Sequence, residues 1–452
     1  MALSVIILAA GKGTRMKSDL PKVLHTLANK PMVEHIIDTV KQINCDNVHL
    51  VYGHGAEQLQ SALQAHSVSW CLQSEQLGTG HAVMQAQQHI SDNEDVLILV
   101  GDAPLVSAQT LTRLVEVKAH CDLALLTVNL DDPTGMGRII RDGDNITAIV
   151  EHKDASDAQR LIKEINTGMM IMSGSDLKRW LGKLSNDNAQ GEYYLTDVIA
   201  MAASEGKKVQ SAQPVWEREV EGINNRMQLA SLERAFQLKQ AENLMEQGVR
   251  LADPARFDVR GTLVVGRDVS IDINAVFEGK VVLADNVSIG PNCVLKNCEI
   301  GEGSFIEAFS HIEDAKVDAS CQIGPYARLR PGSDLHPGVK IGNFVEVKKS
   351  IIGKGSKVNH LSYIGDAQIG EAVNIGAGTI TCNYDGVNKF KTQINDGVFI
   401  GSNSSLVAPV VIGKGATVGA GSIITKSVED EQLAIARGKQ RNISGWQKPT
   451  KK

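Results

Sequence analysis

From Leu283 onward an aliphatic residue recurs about every six positions: Leu283, Ile289 and Leu295, then Ile300, Ile306 and Ile312, then Val317, Ile323 and Leu329. The series continues through Leu335, Ile341, Val347, Ile352, Val358, Ile364, Ile369 and Ile375. After a gap it resumes at Ile394, Ile400, Leu406, Ile412, Val418 and Ile424, often with Gly next, as in Ile352-Gly353 and Ile400-Gly401. The phase slips are regular. From 283 to 300 and from 300 to 317 the step is 17, and from 317 to 335 it is 18. Three near-hexads therefore make one unit. A coil with three flat faces has that period, with one inward aliphatic side chain per face and a tight corner between faces. Stacked coils bury a continuous column that no single coil could bury alone. Most of these residues are core and nothing more.

A chain of 452 residues exceeds one ordinary core, so more than one domain is expected. Aromatics are scarce at 4% and glycines number 42, which suits tightly turned β structure. The net charge of −6 gives no field that would gather nucleic acid or an anionic membrane. The seven cysteines are odd in number and none has CxxC spacing, so neither a disulfide framework nor a zinc site is indicated. With no apolar run approaching the roughly 20 residues of a membrane span, a cytoplasmic protein is expected.

Residues 1–226 alternate short apolar runs with amphipathic stretches. Ser4–Ala10, Val48–Val51 and Val96–Val100 read as strands, Val33–Ile43 and Gly80–His89 as helices. That order implies a mostly parallel sheet covered on both faces, with ligands beyond the carboxyl ends of its strands. Residues 227–247, with Leu229, Leu232, Phe236, Leu244 and Met245, read as one connecting helix that Gly248 stops. The repeats and a cation-rich tail, Ile435–Lys452, occupy 248–452.

Directly after the first strand comes Leu8-Ala9-Ala10-Gly11-Lys12-Gly13-Thr14-Arg15-Met16, followed by Leu20-Pro21-Lys22. It lacks the Walker A ending, and Met16 stands where a dinucleotide fingerprint needs its third Gly. Two glycines let the backbone turn closely around a phosphate, and Lys12, Arg15 and Lys22 crowd three cations beside it. A triphosphate with pyrophosphate as leaving group fits; a solvated basic turn is the plain alternative.

These residues resemble the G-x-G-T-R-M…P-K signature of sugar-nucleotide pyrophosphorylases. The resemblance implies that Leu8, Ala9, Ala10, Gly11 and Lys22 meet the nucleotide and that Gln73 with Gly78 and Thr79 reads uracil. It further implies that Val100, Gly101 and Asp102 form the metal-bearing strand end, and that Gly137, Glu151 and Asn166 meet the sugar. Asp102 and Asn224 would hold Mg²⁺, with Arg15 and Lys22 offsetting charge at the α-phosphorus of UTP. Val100 departs from the family, which usually has an aromatic residue there.

In the repeats, Arg330 and Lys348 lie 18 residues apart, one coil period, and so stack as a candidate phosphate clamp or as two snorkelling surface cations. The segment Thr381–Thr392 interrupts the hexads as an expelled loop, and His360 is a base suited to an amine near neutral pH, although a lone histidine is more often structural. Arg328–Gly332, Phe344–Lys348, Asn359–Asp366 and Asn374–Gly386 resemble the bifunctional GlmU family. That resemblance implies a Rossmann-like mixed-sheet α/β nucleotidyltransferase domain followed by a left-handed parallel β-helix of hexapeptide repeats. It implies His360 as the base, and Arg330, Lys348, Tyr363 and Asn374 on glucosamine-1-phosphate. Asn383 and Tyr384 line the same site, and with Ala377, Ser402, Ala420 and Arg437 they serve acetyl-CoA. The resemblance further implies that the amine attacks the thioester directly, which leaves Cys382 without a nucleophile's role. On the same resemblance, N-acetylglucosamine-1-phosphate and UTP are then expected to give UDP-N-acetylglucosamine, a precursor for peptidoglycan and lipopolysaccharide. The family is homotrimeric.

Two other readings compete: a pyrophosphorylase for another sugar with an inert β-helix, and a non-enzymatic scaffold of the translation-factor kind. The first should lack the His360 constellation and the expelled loop, and the second should show eroded Gly11–Lys22 and Asp102 positions.

Overall fold

The computed structural model describes residues 2–53, 55–188 and 190–451. Met1 and Lys452, the outer ends of the first and last expected segments, lie outside the described residues. The chain forms two compact units, Met1–Phe236 and Gln237–Lys452.

The first unit is built on a 9-stranded sheet. Its strands are β1 (Ala2–Ala9), β2 (Asn47–Tyr52), β3 (Ser69–Leu72), β4 (Glu94–Val100), β5 (Leu123–Asn129), β6 (Arg138–Asp142), β7 (Asn145–Val150), β8 (Glu164–Ser173) and β9 (Val209–Ala212). The order is β9-β5-β8-β4-β1-β2-β3, with the hairpin β6/β7 attached to β8. β1 lies parallel to both β2 and β4 at the centre. Val5, Ile6 and Ile7 are wholly buried, which explains why β1 reads as a continuous apolar run: both of its faces are covered.

The sheet is mixed because β8 runs antiparallel to β4 and β5. Its register with β5 shifts between Asn166 and Met170, where Gly168 takes the left-handed φ of 81°. Such a bulge lifts residues off the ladder and re-aims them. The first helix is Met32–Val40, shorter than periodicity suggested, and buries Met32, Val33, Ile36, Ile37 and Val40 along one stripe. The stretch at 80–89 divides into helix Thr79–Met84 and a 3₁₀ turn at Gln87–His89. Helix Arg226–Glu246 continues the chain; Leu232 packs into a cluster of the first unit, whereas Ala241 and Leu244 belong to the core of the second.

The second unit is a parallel β-helix. Along one face Ile289, Ile306, Ile323, Ile341, Val358, Ile375, Ile400 and Val418 stack in register, each strand parallel to the next. Every aliphatic residue of the series from Leu283 to Ile424 is at most 4% exposed. Burying such a column is the main favourable term for coils that carry only two to four ladder residues per face. Corner polar groups are satisfied internally: Ser304 Oγ accepts from Cys321 N at 3.0 Å and donates to Asp318 O at 2.8 Å, and Ser356 repeats the pattern with Val373 and Gly370.

Two features differ from the hexad count, which starts at Leu283 although the β-helix domain is expected from 248. The stacking begins before Leu283, since Leu251, Ile271 and Ile289 already stack and Phe257 and Phe277 pack with ring centroids 5.7 Å apart. Aromatic filling and a step of 20 between 251 and 271 hid these coils from the hexad count. Thr381 and Thr392, expected in the loop, are instead ladder residues at 1% and 0% exposure. Thr381 substitutes for an aliphatic residue because its Oγ1 accepts from Gly365 N at 2.8 Å. The expelled segment is therefore 383–391.

Leu329 is 0% exposed within the column. Leu329→Ala is expected to cost about 2–5 kcal/mol, read as a lower denaturant midpoint for the β-helix transition with the first unit's transition unmoved.

Candidate active sites

In the first unit, Leu8, Ala9, Ala10, Gly11, Lys22, Gln73, Gly78, Thr79, Val100 and Asp102 line one cavity of about 280 Å³. It opens where β1 and β4 end, as the sheet's topology requires. Gly101 N donates to Leu8 O at 2.8 Å and so ties the two strand ends together. Gly13 has φ 60°, and a Cβ there would stand 2.6 Å from Lys22 Cβ. Only glycine lets the loop close onto Lys22.

Three distant segments meet at the cavity mouth. Lys22 Nζ donates to Asp102 Oδ2 at 2.5 Å and to Asn224 Oδ1 at 2.7 Å. Arg15 Nη2 donates to the same Asn224 oxygen at 2.8 Å. The backbone fixes this junction, since Ile223 N donates to Asp102 O at 2.9 Å. The Lys22 and Asp102 side chains are 12% and 25% exposed, so their attraction is only partly screened.

Gln73 is buried, and its amide nitrogen reaches Gly78 O at 3.2 Å and His81 Nδ1 at 3.1 Å. Gly137, Glu151 and Asn166 are brought together beside the bulge. Asn166 N donates to Gly137 O at 3.0 Å, and Glu151 Oε1 lies 3.2 Å from where a Gly137 Cβ would stand. Burial, then Asp154 and Asp197, raise the Glu151 pKa. The Val100 side chain meets Gly168, 3.1 Å from the place of a Cβ there. Gln76 and Glu192 also line the cavity and were missed. Gln76 lies in the Gln73 loop already singled out, whereas Glu192 comes from far along the chain and carries no local signal.

In the β-helix, Arg330 and Lys348 occupy one corner and His360 another, joined by the face that carries Tyr363. Arg330 is not a free cation: its Nη1 lies 2.7 Å from Glu346 Oε1, because strand pairing sets Glu346 beside Arg328. Lys389 from the expelled segment stands against Lys348. Its hydrogen bond and like charge, then burial and Arg330, lower the Lys348 pKa, while Asp366 opposes them. His360 is exposed, and its Nδ1 meets Asn343 Oδ1 at 2.9 Å. An amide oxygen only accepts, so Nδ1 carries a proton, and in the neutral ring Nε2 presents a lone pair.

Ala377, Ser402 and Ala420 stack at the corner that also carries His360: Asn403 N donates to Ala377 O at 2.7 Å, Gly421 N to Ser402 O at 2.8 Å, and Arg437 Nη1 to Ala420 O at 2.5 Å. Asn374 pairs with Phe399 on the face before that corner. Asn383 and Tyr384 lie at the far end of strand Ile380–Cys382, with Asn383 Nδ2 donating to Asp366 Oδ2 at 2.5 Å. One chain thus spreads the expected coenzyme residues over two corners. Asn343 and Lys389 were not anticipated. A coil period of 17 before His360 could have found Asn343; a loop residue such as Lys389 follows no period.

A MobA-like NTP transferase domain model matches residues 5–166, and a bacterial transferase hexapeptide (six repeats) model matches 262–297 and 391–426. The "Bifunctional protein GlmU" of Pseudoalteromonas atlantica is 67% identical over 451 residues, covering 100% of both chains. The chain belongs to the bifunctional GlmU family. The protein of the same name from Idiomarina loihiensis is 62% identical over 453 residues, covering 100% of this chain and 99% of its own. Among solved structures, that of UDP-glucose pyrophosphorylase complexed with UDP-glucose aligns with a TM-score of 0.44 at 16% identity, over 53% of this chain and 100% of that one. As a GlmU-family enzyme, the chain joins nucleotidyltransferase and acetyltransferase activities for UDP-N-acetylglucosamine synthesis, which sets aside the scaffold and other-sugar readings. Among the described residues no helix is long and apolar enough to cross a membrane.

Because the fold disfavours protonated Lys348, stability is lost as pH falls through its lowered pKa. Lys389→Met is expected to raise that pKa toward an ordinary lysine's and remove the loss, as read from the Lys348 side-chain carbon shift in an NMR titration.

Proposed function

We propose that the two sites divide the synthesis as follows. In the first unit an oxygen of N-acetylglucosamine-1-phosphate attacks the α-phosphorus of UTP in line. The bond to the β-phosphate oxygen breaks, and pyrophosphate leaves with that electron pair. Arg15 and Lys22 offset the negative charge that develops. The observation that carries this reading is the convergence of Asp102 Oδ2 and Asn224 Oδ1 on one cationic nitrogen. Two hard oxygens directed at a single positive centre fit Mg²⁺, which these residues would hold. Bound there, Mg²⁺ would supply charge neutralisation at the phosphates. Gln73 would meet the uracil, and Glu151, Asn166 and Gly137 the sugar.

In the β-helix, Arg330 and Lys348 hold the phosphate of glucosamine-1-phosphate, with Lys389 as a third cation. The distance from their corner to His360 is one short strand, Tyr363–Gly365, or about 10 Å at roughly 3.3 Å per residue, which suits a hexosamine phosphate laid along the face. His360 Nε2 takes the proton from the sugar amine, and the amine attacks the acetyl-CoA thioester, releasing coenzyme A. No acyl-enzyme is needed.

The protein works as a cytoplasmic homotrimer. In support, Phe309, Tyr326, Phe344 and Leu361 fill one corner of four successive coils, all with φ between 50° and 60°. The rings of the first three stack at 4.9 and 5.4 Å, and all four side chains are 48–61% exposed. Asn292 and Gly378, which tolerate a left-handed backbone, hold the same corner on either side. Strained, bulky and apolar residues on an open ridge suit burial against another copy. Leu361 adjoins His360, so a neighbouring copy would complete the spread coenzyme site.

Supplied with glucosamine-1-phosphate, acetyl-CoA, UTP and Mg²⁺, the protein should yield a product with the mass of UDP-N-acetylglucosamine. His360→Ala is expected to lower acetyl transfer by about 10²-fold or more and to spare uridylyl transfer. Asp102→Ala is expected to do the reverse. Loss of both activities in either folded variant would count against independent sites.

A further inference from the structure

We propose that His25 and Arg226 form a positioning pair for uridylyl transfer, holding the turn that bears Lys22 against the turn that bears Asn224. The inference rests on the reading of Lys22 and Asn224 given above. His25 closes the 3₁₀ turn Lys22–Leu24, and its backbone N donates to Lys22 O at 3.2 Å. Arg226 opens helix Arg226–Glu246, two residues after Asn224. The two side chains meet at 3.2 Å, Arg226 Nη1 to His25 Nδ1. A guanidinium only donates, so the imidazole accepts and is neutral at Nδ1. Burial, and then the Arg226 charge, lower the His25 pKa, in keeping with that role.

Each end of the link is rigid. Asn224 N donates to Gln228 Oε1 at 2.8 Å and Gln228 N to Asn225 Oδ1 at 2.9 Å, so Asn224 follows the first helical turn that carries Arg226. Lys22 follows His25 through their shared turn. Movement at the link therefore becomes movement of Lys22 Nζ relative to Asn224 Oδ1.

The pair is not needed to hold these segments together. Leu27, Ala28, Met32, Ile223 and Leu232 already form a buried cluster across them, and Ala28 N donates to Glu233 Oε2 at 2.7 Å. The pair is also costly, since His25 is 4% exposed and its Nε2 is buried without a hydrogen-bond partner among the described residues. An apolar side chain of similar shape would avoid that cost. What an apolar residue cannot do is fix the spacing of the two turns, and misplacing reacting groups by about 1 Å costs about 10²-fold in rate.

The test uses the full chain with both activities measured on the same preparations. His25→Leu and Arg226→Met are each expected to lower the uridylyl-transfer kcat by about 10-fold to 100-fold, with KM for UTP little changed and acetyl transfer intact. The double variant should be no worse than either single one. His25→Asn, whose side-chain oxygen stands where Nδ1 does, should recover most of the rate. An unchanged kcat in His25→Leu, additive losses in the double variant, or His25→Asn as impaired as His25→Leu would overturn the proposal. If His25→Leu does not fold, Arg226→Met and His25→Asn decide alone. Lys22→Met separates the two ideas. Full uridylyl transfer in that variant defeats the reading of the site itself, whereas its loss beside an active His25→Leu defeats only the positioning pair.

Discussion

The ammonium of Lys22, held between Asp102 and Asn224, is the contact on which the first unit's organisation turns. It joins a glycine loop after β1, the end of β4 and the entry to helix Arg226–Glu246. Each reaches the point for its own local reason. Gly13 lets the loop close, Gly101 bonds back to Leu8, and Ile223 bonds to the Asp102 carbonyl. A carboxylate and an amide oxygen directed at one cation form a site already arranged for positive charge, and such preorganisation is what phosphoryl chemistry requires of a protein.

The second unit solves a different problem with different physics. Its strands are too short to be stable alone, and its stability is that of the stack: an aliphatic column inside, serine and threonine hydroxyls closing the corners, and every ladder parallel. Such a scaffold fixes side chains one coil apart with little freedom. That is why Asn343 can orient His360 and Glu346 can reach Arg330 across neighbouring coils. The residues proposed for acetyl transfer lie on the corners, on the outward side of the faces that carry Tyr363 and Asn374, and on the expelled segment 383–391, where the column imposes no identity.

How much of this could be read beforehand depended on whether a residue obeyed a period or a local motif. The inward column is legible because burial forces an aliphatic residue at each turn, and the Gly11–Lys22 loop because a close turn that gathers cations needs glycine and charge within one stretch. The early coils were not legible, since Phe257 and Phe277 fill the space by bulk and break the hexad count. Thr381 hid within the column because a hydroxyl bonded to Gly365 N can stand where an aliphatic residue usually does. Glu192 and the His25–Arg226 contact depend on chain segments far apart in sequence, and only the folded chain brings them into view.

The central claim is that Asp102 and Asn224 form the seat of a divalent ion which the nucleotide completes. Mn²⁺ in place of Mg²⁺ allows the bound ion to be followed by electron paramagnetic resonance as UDP-N-acetylglucosamine is added. The account predicts nucleotide-dependent Mn²⁺ binding in the natural protein and its loss in Asp102→Ala. Equal binding in both, with the nucleotide bound, would contradict it.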